Sequence, residues 1–294
     1  MSGDRPSRAA AALLAFRPKT LTAGVAPVVV GSAIAASEGG FRPLPAIAAL
    51  LGALGIQIGT NLFNDYEDFQ RGADTPDRLG PARATQQGWL SAREVRGLGL
   101  VAFGAASLVG LYLVAVGGWP VVIIGLASLL SGWLYTGGPY PLAYVGLGDL
   151  FVWGFFGVVA VTGTTYVQTL AFSTDAVIAG LAVGALATAI LVVNNLRDRE
   201  TDATVGKRTL AVRFGPAVAR AEYAALLAIA YLLPVMQALR GRTGWLCTWL
   251  SVPVAVLELR GVYRLDGAAL NARLAGAAKL GLLFAALLAV GVLL

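Results

Sequence analysis

The chain has 294 residues, of which 57% are hydrophobic and only 13% are charged, whereas soluble domains carry roughly 25% charged residues. This composition excludes an ordinary soluble domain and predicts a protein that crosses a membrane several times. Histidine is absent and Cys247 is the one cysteine, which excludes histidine-ligated metals, histidine acid–base chemistry and an intramolecular disulfide.

Nine apolar runs are long enough to cross the hydrocarbon of a bilayer, which takes about 20 residues. They centre near Val28, Leu51, Ala106, Ile124, Phe156, Leu186, Ile229, Val252 and Ala286. The first run has no distinct cleavage site, so we expect it to remain in the mature protein. The predicted fold is all-α, a polytopic membrane bundle of nine transmembrane helices, with residues 1–294 forming a single membrane-embedded domain.

Basic residues are distributed unevenly between the two sides of this predicted bundle. With a cytoplasmic amino terminus, most of the 22 Lys and Arg residues fall in cytoplasmic segments, and Arg42, Arg240 and Arg242 fall in outer ones. The positive-inside rule therefore predicts a cytoplasmic amino terminus, an outer carboxyl terminus and a location in the cell membrane. Because topology accounts for much of the net charge of +6, no nucleic-acid partner is expected.

The first polar cluster lies where the second apolar run ends, in the sequence NLFNDYEDFQRGAD at 61–74. Asn61, Asp65 and Asp68 recur at helical spacing, so they share one helix face. The neighbouring candidates for substrate contacts are Asn64, Arg71 and Asp74.

A second polar cluster follows the sixth apolar run. Its sequence NNLRDRE at 194–200 matches NLFNDYE at 61–67 at a fixed offset of 133. Asn194, Asp198 and Asp202 again share a helix face, and Asn195 and Arg197 are further candidate contacts. The match is consistent with two pseudo-repeated halves that carry their acidic motifs at 61–74 and 194–208, although seven residues could also match by chance.

Both clusters lie on the predicted cytoplasmic side. If the two helix ends face each other, Asp65, Asp68, Asp198 and Asp202 form a carboxylate group with no basic residue on either stripe, and it would repel itself unless cations bound there. Oxygen ligands of this kind suit Mg2+, which takes one or two carboxylates and completes its shell with water and substrate phosphates. These four aspartates are therefore the predicted catalytic and metal-binding residues. The alternative is that they only cap helix ends and are solvated.

Basic residues suited to a diphosphate surround the acidic motifs. Lys207 and Arg208 lie in GKRTLAVRFG at 206–215, directly after the second motif, and Arg71 follows the first. The alternative role for each is to set membrane topology.

The paired motifs resemble those of the UbiA superfamily of intramembrane aromatic prenyltransferases, which combines an Asn-Asp-x-x-Asp motif with an Asp-x3-Asp motif. Here they read NDYED at 64–68 and DRETD at 198–202. The acid at Asp74 and the segments FRPKTL at 16–21, YTGGPYPLAYVGLGDLF at 135–151 and GKRTLAVRFG are similar to the menaquinone-synthesis branch of that superfamily.

The resemblance implies nine helices around a central cavity, Mg2+ as cofactor, a polyprenyl diphosphate donor and the aromatic acceptor 1,4-dihydroxy-2-naphthoate. It also implies that the acceptor carboxyl group leaves as CO2, which gives demethylmenaquinol. Relatives often carry a basic residue in the segment 136–146, which here has neither Lys nor Arg, so Tyr135 is the expected substitute. Arg17 and Lys19 could supply positive charge for the acceptor carboxylate, and setting topology is their alternative role.

Two other functions remain open from the sequence. Within the same enzyme class, the acceptor could be 4-hydroxybenzoate, homogentisate or a glycerol phosphate lipid, because no motif fixes the acceptor pocket. From another class, an ion-coupled transporter would also use intramembrane carboxylates and internal repeats. A transporter predicts charges near the bilayer midplane, whereas these acids lie at helix ends.

Overall fold

The computed structural model describes residues 6–74 and 78–294, except for the side chain of Lys19. In this part of the chain, the regular secondary structure is entirely helical. The helices are α1 (Arg8–Ala15), α2 (Thr22–Ser37), α3 (Pro43–Gln70), α4 (Ala92–Gly117), α5 (Trp119–Leu134), α6 (Gly148–Thr169), α7 (Thr174–Arg197), α8 (Arg199–Thr204), α9 (Leu210–Leu239), α10 (Thr243–Arg264) and α11 (Gly267–Leu293).

The nine predicted spans are confirmed within the described residues. Seven helices are long and apolar enough to cross a membrane, and α2 and α5 are shorter apolar helices. Each of the nine contains one of the centres predicted from the sequence. The chain is therefore a multi-pass membrane protein.

Helix α7 forms the core of the bundle. In its most apolar stretch 67% of the residues are buried, compared with 11% in α4. It packs against α6, α9 and α11, while α4 packs mainly on α3. The outward side chains of α4 and α5 are large and apolar, including Val101, Leu108, Ile123 and Leu130. Since these helices are buried so little within the protein, we assign this side to lipid contact.

The ends of several helices are fixed by local chemistry. Ser91 and Glu94 form a reciprocal capping box at the start of α4, and the Thr209 hydroxyl accepts from the Val212 N–H at the start of α9. Gly118, with φ of 67°, separates α4 from α5, and this left-handed region favours glycine. The caps at Ser91 and Thr209 end the two polar loops that follow the acidic motifs.

Three glycines allow α6 and α7 to pack backbone against backbone. A β-carbon on Gly184 would lie 2.5 Å from the Trp153 carbonyl oxygen, and one on Gly180 would lie 2.8 Å from the Cα of Val158. Gly157 faces both glycines from a π-helical segment of α6, Gly154–Val159. Small residues of this kind are how membrane helices approach closely.

We expect Gly184→Ala to destabilise the bundle by about 1–3 kcal/mol, because the added methyl group meets backbone atoms that cannot turn aside. Thermal unfolding in detergent measures the effect. Gly104→Ala on α4 is the matched control, because no atom lies within 4 Å of its added methyl group. Equal melting temperatures for Gly184→Ala and the unaltered protein would contradict the close packing.

Candidate active site

The two acidic motifs meet at one end of the bundle. Asp68 lies in the last turn of α3, and Asp202 lies in the short helix α8 that follows α7. The ammonium group of Lys207 lies between them, 3.6 Å from Asp68 Oδ1 and 3.5 Å from Asp202 Oδ1. One cation therefore joins residues that are far apart in sequence.

Asp68 is the most connected carboxylate of the site. Besides its contact with Lys207, it accepts hydrogen bonds from Arg83 Nη2 at 3.1 Å and from the Tyr144 hydroxyl at 2.9 Å. The side chains of Arg71 and Lys207 lie over the Tyr144 ring, at 5.4 and 5.1 Å from its centroid. Burial and the charge of Asp68 raise the pKa of Tyr144, so this phenol stays protonated and donates.

Asp65 is held within the protein. Its carboxylate accepts from the backbone N–H of Ala84 at 3.1 Å and from the hydroxyl of Thr85. The residue is 1% exposed. Asp65 therefore fastens the segment around residues 83–85 to the end of α3.

Asp74 belongs to the same cluster. Its Oδ1 pairs with Arg78 Nη1 at 2.6 Å and with Arg83 Nε at 3.5 Å, while its Oδ2 is buried without a hydrogen-bond partner among the described residues. Burial raises the pKa of Asp74 to about 6, although Arg78 opposes the shift. Its charge is therefore only partly compensated.

Asp198 differs from Asp202 in its partner. The guanidinium of Arg197 binds the Asp198 carboxylate through two nitrogens, at 2.5 and 2.8 Å. The same guanidinium donates to Asn194 at 2.8 Å and to Asn271 at 2.9 Å. Arg197 thus ties the end of α7 to α11, and its contact with a substrate stays a prediction.

The acidic stripes themselves carry no basic residue, but neighbouring cations pair with them in the folded protein. Lys207 and Arg83 pair with Asp68, and Arg197 pairs with Asp198. Loops that return over the helix ends deliver Lys207 and Arg83. Burial raises the pKa of Asp202 although Lys207 lowers it, and the pKa of Lys207 is raised by Asp68 and Asp202 despite its own burial.

The predicted asparagines lie at different depths. Asn61 donates to the Phe16 carbonyl and the Thr20 hydroxyl, each at 3.0 Å, which holds α3 to the turn between α1 and α2. Asn64 accepts from the Thr136 hydroxyl at 2.7 Å, and Asn195 is buried on α7. Asn61 is therefore committed to packing, whereas Asn64 lies beside the acid cluster.

The remaining predicted basic residues lie in different environments. Arg71 donates to the Gly138 carbonyl at 2.7 Å and so reaches over the site. Arg208 points away: its side chain is exposed and forms no ion pair with a described residue, although its backbone N–H donates to Tyr144. The side chain of Lys19 lies outside the described part of the chain. Arg17 has a left-handed backbone with φ of 54°, and its Nη2 is buried without a partner among the described residues.

An apolar cavity of about 420 Å³ begins beside the charged cluster and runs between α2, α3, α4, α5 and α6. Tyr135 and Thr60 line the end nearest the cluster, and Ala49 lines α3 farther along. From Thr60 to Ala49 the helix rises about 16 Å. Nearly all of the lining is aliphatic or aromatic, with the amide of Gln57 among the few polar groups. The cavity is therefore an apolar channel with a charged mouth.

Several residues of the site were not selected from the sequence. Tyr144 and Thr136 come from the loop between α5 and α6, and Thr85 and Arg83 come from the loop between α3 and α4. Arg83 was visible as a basic residue after the first motif. The other three carry no spacing signal, because only the fold brings these loops over the acids.

The donor set suits Mg2+. Asp68 and Asp202, from separate motifs, direct carboxylate oxygens at one point that already holds a positive charge. Among the described residues no group of three or more acidic side chains could hold a metal ion alone. The pair Asp68 and Asp202 matches the usual Mg2+ site, in which one or two carboxylates share the ion with substrate phosphates.

Residues 24–288 match the model of the UbiA prenyltransferase family. The chain is 38% identical, over all of its own length and 98% of the relative, to 1,4-dihydroxy-2-naphthoate octaprenyltransferase of Escherichia coli K12. It is 39% identical to the protein of the same name from Mycobacterium tuberculosis, covering 84% of each chain. The protein belongs to the UbiA prenyltransferase family.

Solved structures share the fold. A UbiA homolog from Aeropyrum pernix K1 superposes with a TM-score of 0.70 at 17% identity, covering 91% of this chain and 96% of that one. A UbiA homolog from Archaeoglobus fulgidus, solved with GPP and Mg2+, gives 0.66 at 19% identity, covering 96% and 99%. Because the chain belongs to this family, we interpret the paired acids as part of a prenyltransferase site and not as the ion site of a transporter.

The position of Lys207 predicts how the site binds metal without substrate. We expect Lys207→Gln to bind Mn2+ at least about tenfold more tightly when diphosphate is absent, because the ammonium no longer competes for the Asp68 and Asp202 carboxylates. Electron paramagnetic resonance of free Mn2+ over detergent-solubilised protein measures this affinity. Arg208→Gln removes the same charge one residue away and should leave it within about twofold. An equal effect of both substitutions would show that Lys207 has no specific place between the carboxylates.

Proposed function

We propose that this protein transfers a polyprenyl group from polyprenyl diphosphate to 1,4-dihydroxy-2-naphthoate, with loss of CO2, to give demethylmenaquinol. The observation that carries the proposal is the junction of a charged cluster with an apolar cavity at Tyr135. Such a junction accommodates a molecule with a charged head and a long apolar tail. The names of the similar proteins from Escherichia coli and Mycobacterium tuberculosis support this choice of acceptor.

The charged cluster binds the diphosphate. Lys207, Arg71 and Arg83 supply cations at the mouth of the cavity, and Tyr144 supplies a hydroxyl donor. Two of these cations, Lys207 and Arg83, pair with Asp68, Asp74 and Asp202. We infer that the diphosphate takes over part of this pairing.

The same carboxylates hold the metal. Asp68 and Asp202 face each other across the site, while Asp65 and Asp198 orient the surrounding loops in addition to adding negative charge. Bound Mg2+ would neutralise charge on the leaving diphosphate. The residues of the cluster stabilise the departing group by fixed charges and dipoles, which is an electrostatic form of catalysis.

The cavity holds the polyprenyl tail and protects the reacting carbon. As the carbon–oxygen bond to diphosphate breaks, an allylic cation develops, and water would capture it in an open site. Phe155, Phe156 and the other apolar side chains of the lining exclude water from this channel. Tyr135, at the junction, places an aromatic ring where the positive charge forms.

The acceptor enters beside this junction. Its carboxylate requires positive charge, and Arg17 offers a buried guanidinium nitrogen that no described residue uses. Lys19 is two residues farther along the same segment and has the same proposed role. The ring attacks the allylic carbon, and the carboxyl group leaves with its bonding electrons retained by the ring.

The proposed arrangement in the cell follows from the distribution of basic residues. We infer that the amino terminus and the charged mouth are cytoplasmic, that the carboxyl terminus is outside, and that the membrane is the cell membrane. The whole chain would act as one domain, since the helices that carry the two acidic motifs both contribute to one site. The two halves would be pseudo-repeats.

Asp68→Asn tests the charged cluster. We expect prenyl transfer to fall by about 10²–10³-fold, because the substitution removes the charge that Lys207, Arg83 and Tyr144 share, and saturating Mg2+ should not restore it. Asp266→Asn is the matched control, since its carboxylate is 75% exposed and pairs with Arg220 away from the cavity. Initial rates in detergent or nanodiscs give the comparison, and a near-normal rate for Asp68→Asn would remove this residue from the proposed machinery.

Labelled carboxyl carbon tests the acceptor. With 1,4-dihydroxy-2-naphthoate carrying a labelled carboxylate, we expect one equivalent of labelled CO2 for each prenylated product. 4-Hydroxybenzoate and homogentisate serve as competing acceptors. If 4-hydroxybenzoate were prenylated with its carboxyl group retained and the naphthoate were not, the ubiquinone-type alternative would replace the naphthoate.

A further inference from the structure

Asp149 is a buried carboxylate that lies outside the acidic motifs. Asp149, in the first turn of α6, is 7% exposed, and its Oδ1 has no hydrogen-bond partner among the described residues. The side chain is bonded to its own backbone N–H, and no Lys or Arg of the described chain forms an ion pair with it. Glu222 of α9 interacts with it electrostatically, and this adds repulsion rather than a counter-charge.

Its position places Asp149 beside the junction of cluster and cavity. Val152, at i+3 on the same helix face, lines the cavity, as does Tyr135. The preceding Gly148 packs against Tyr135, since a β-carbon there would lie 3.3 Å from the Tyr135 hydroxyl oxygen. The charge of Asp149 also acts on Tyr135, as do the charges of Asp68 and Asp202.

An acidic residue in the first turn of a helix is usually explained by its favourable interaction with the helix dipole. That explanation accounts for a solvated carboxylate, but not for an oxygen removed from water with no donor. An unsatisfied buried acceptor costs about 1–3 kcal/mol, and more when it is charged. Ionisable groups kept at this depth in a membrane protein usually serve a substrate. Asp149 therefore has the properties of an acceptor whose donor arrives with a ligand.

We propose that Asp149 accepts a hydrogen bond from a phenolic hydroxyl of the aromatic acceptor and so orients its ring toward the allylic carbon. This inference rests on the proposed function. The proposed contact of Asp149 is with a hydroxyl group of the acceptor, whereas the acceptor carboxylate is proposed to contact Arg17 and Lys19. A hydrogen bond to a carboxylate also increases electron density in the ring, which favours attack on an electrophile. Asp149 would thereby select hydroxylated arenes.

The test combines substitution of Asp149 with removal of each hydroxyl proton from the acceptor. Its substrates are 1,4-dihydroxy-2-naphthoate and its 1-methoxy and 4-methoxy ethers, and kcat/KM is measured for each with the full-length protein in nanodiscs. We expect the unaltered protein to prefer the dihydroxy compound over one ether by about 10–100-fold. In Asp149→Leu this preference should fall to within about threefold. In Asp149→Asn, which keeps a weaker neutral acceptor, it should be intermediate.

Thr188→Val is the control, because within the described residues the Thr188 hydroxyl donates only to backbone carbonyls, those of Asp149 and Gly184. It perturbs the packing around the start of α6 but leaves the Asp149 carboxylate in place, so the full preference should remain. The KM for the polyprenyl diphosphate should be unchanged in every variant. If Asp149→Leu does not fold, Asp149→Asn carries the test.

The outcomes separate this inference from the proposed function. If both Asp149 variants discriminate between the dihydroxy compound and the ether as the unaltered protein does, the assignment of Asp149 is overturned and the proposed reaction stands. If the unaltered protein prenylates a different hydroxyarene, the naphthoate assignment fails, and the same comparison with that arene and its methyl ether decides the role of Asp149. If no arene is prenylated, both are overturned.

Discussion

The contact of Lys207 with Asp68 and Asp202 is the interaction on which the site depends. Two carboxylates from distant parts of the chain come together at the end of a membrane bundle, where isolated charges are costly. The ammonium group offsets the repulsion between the two carboxylates and ties the loop after α8 to the end of α3. Arg83, Tyr144 and Arg71 add to the same network, so the cluster is preorganised before any substrate arrives.

Preorganisation of this kind suits the departure of a diphosphate. In the proposed reaction the cations would exchange protein carboxylates for phosphate oxygens, and the carboxylates released from them would become available to a divalent cation. The charges therefore remain paired throughout. Beside the charged cluster, the apolar cavity offers the opposite environment, which favours a hydrocarbon chain and excludes water. The change from one environment to the other occurs within a helical turn or two around Tyr135 and Asn64, and this is where the reacting carbon would lie.

Much of the fold followed from the sequence because apolar length is a strong signal. All nine spans contain their predicted centres, and the spacing of Asn61, Asp65 and Asp68 correctly predicted one helix. The contacts made by individual site residues were harder to predict from the sequence than the membrane spans. Asn61 and Arg197, which were predicted as substrate contacts, also hold helices together, and nothing in their spacing distinguishes a substrate contact from a packing contact. Tyr144, Thr136 and Thr85 were missed because loop conformation, which no periodicity records, brings them to the acids.

The central claim is that one substrate occupies both environments, with its head at Lys207 and its tail between α2 and α6. Photocrosslinking with a polyprenyl diphosphate that carries a diazirine near the end of its tail tests this most directly. With Mg2+ present, peptide mapping should place the crosslinks on the cavity lining, for example at Leu111 and Val114 of α4 or Phe155 of α6, and excess unlabelled diphosphate should suppress them. Crosslinks concentrated on α9, α10 or α11, or spread evenly over the lipid-facing surface, would contradict the account.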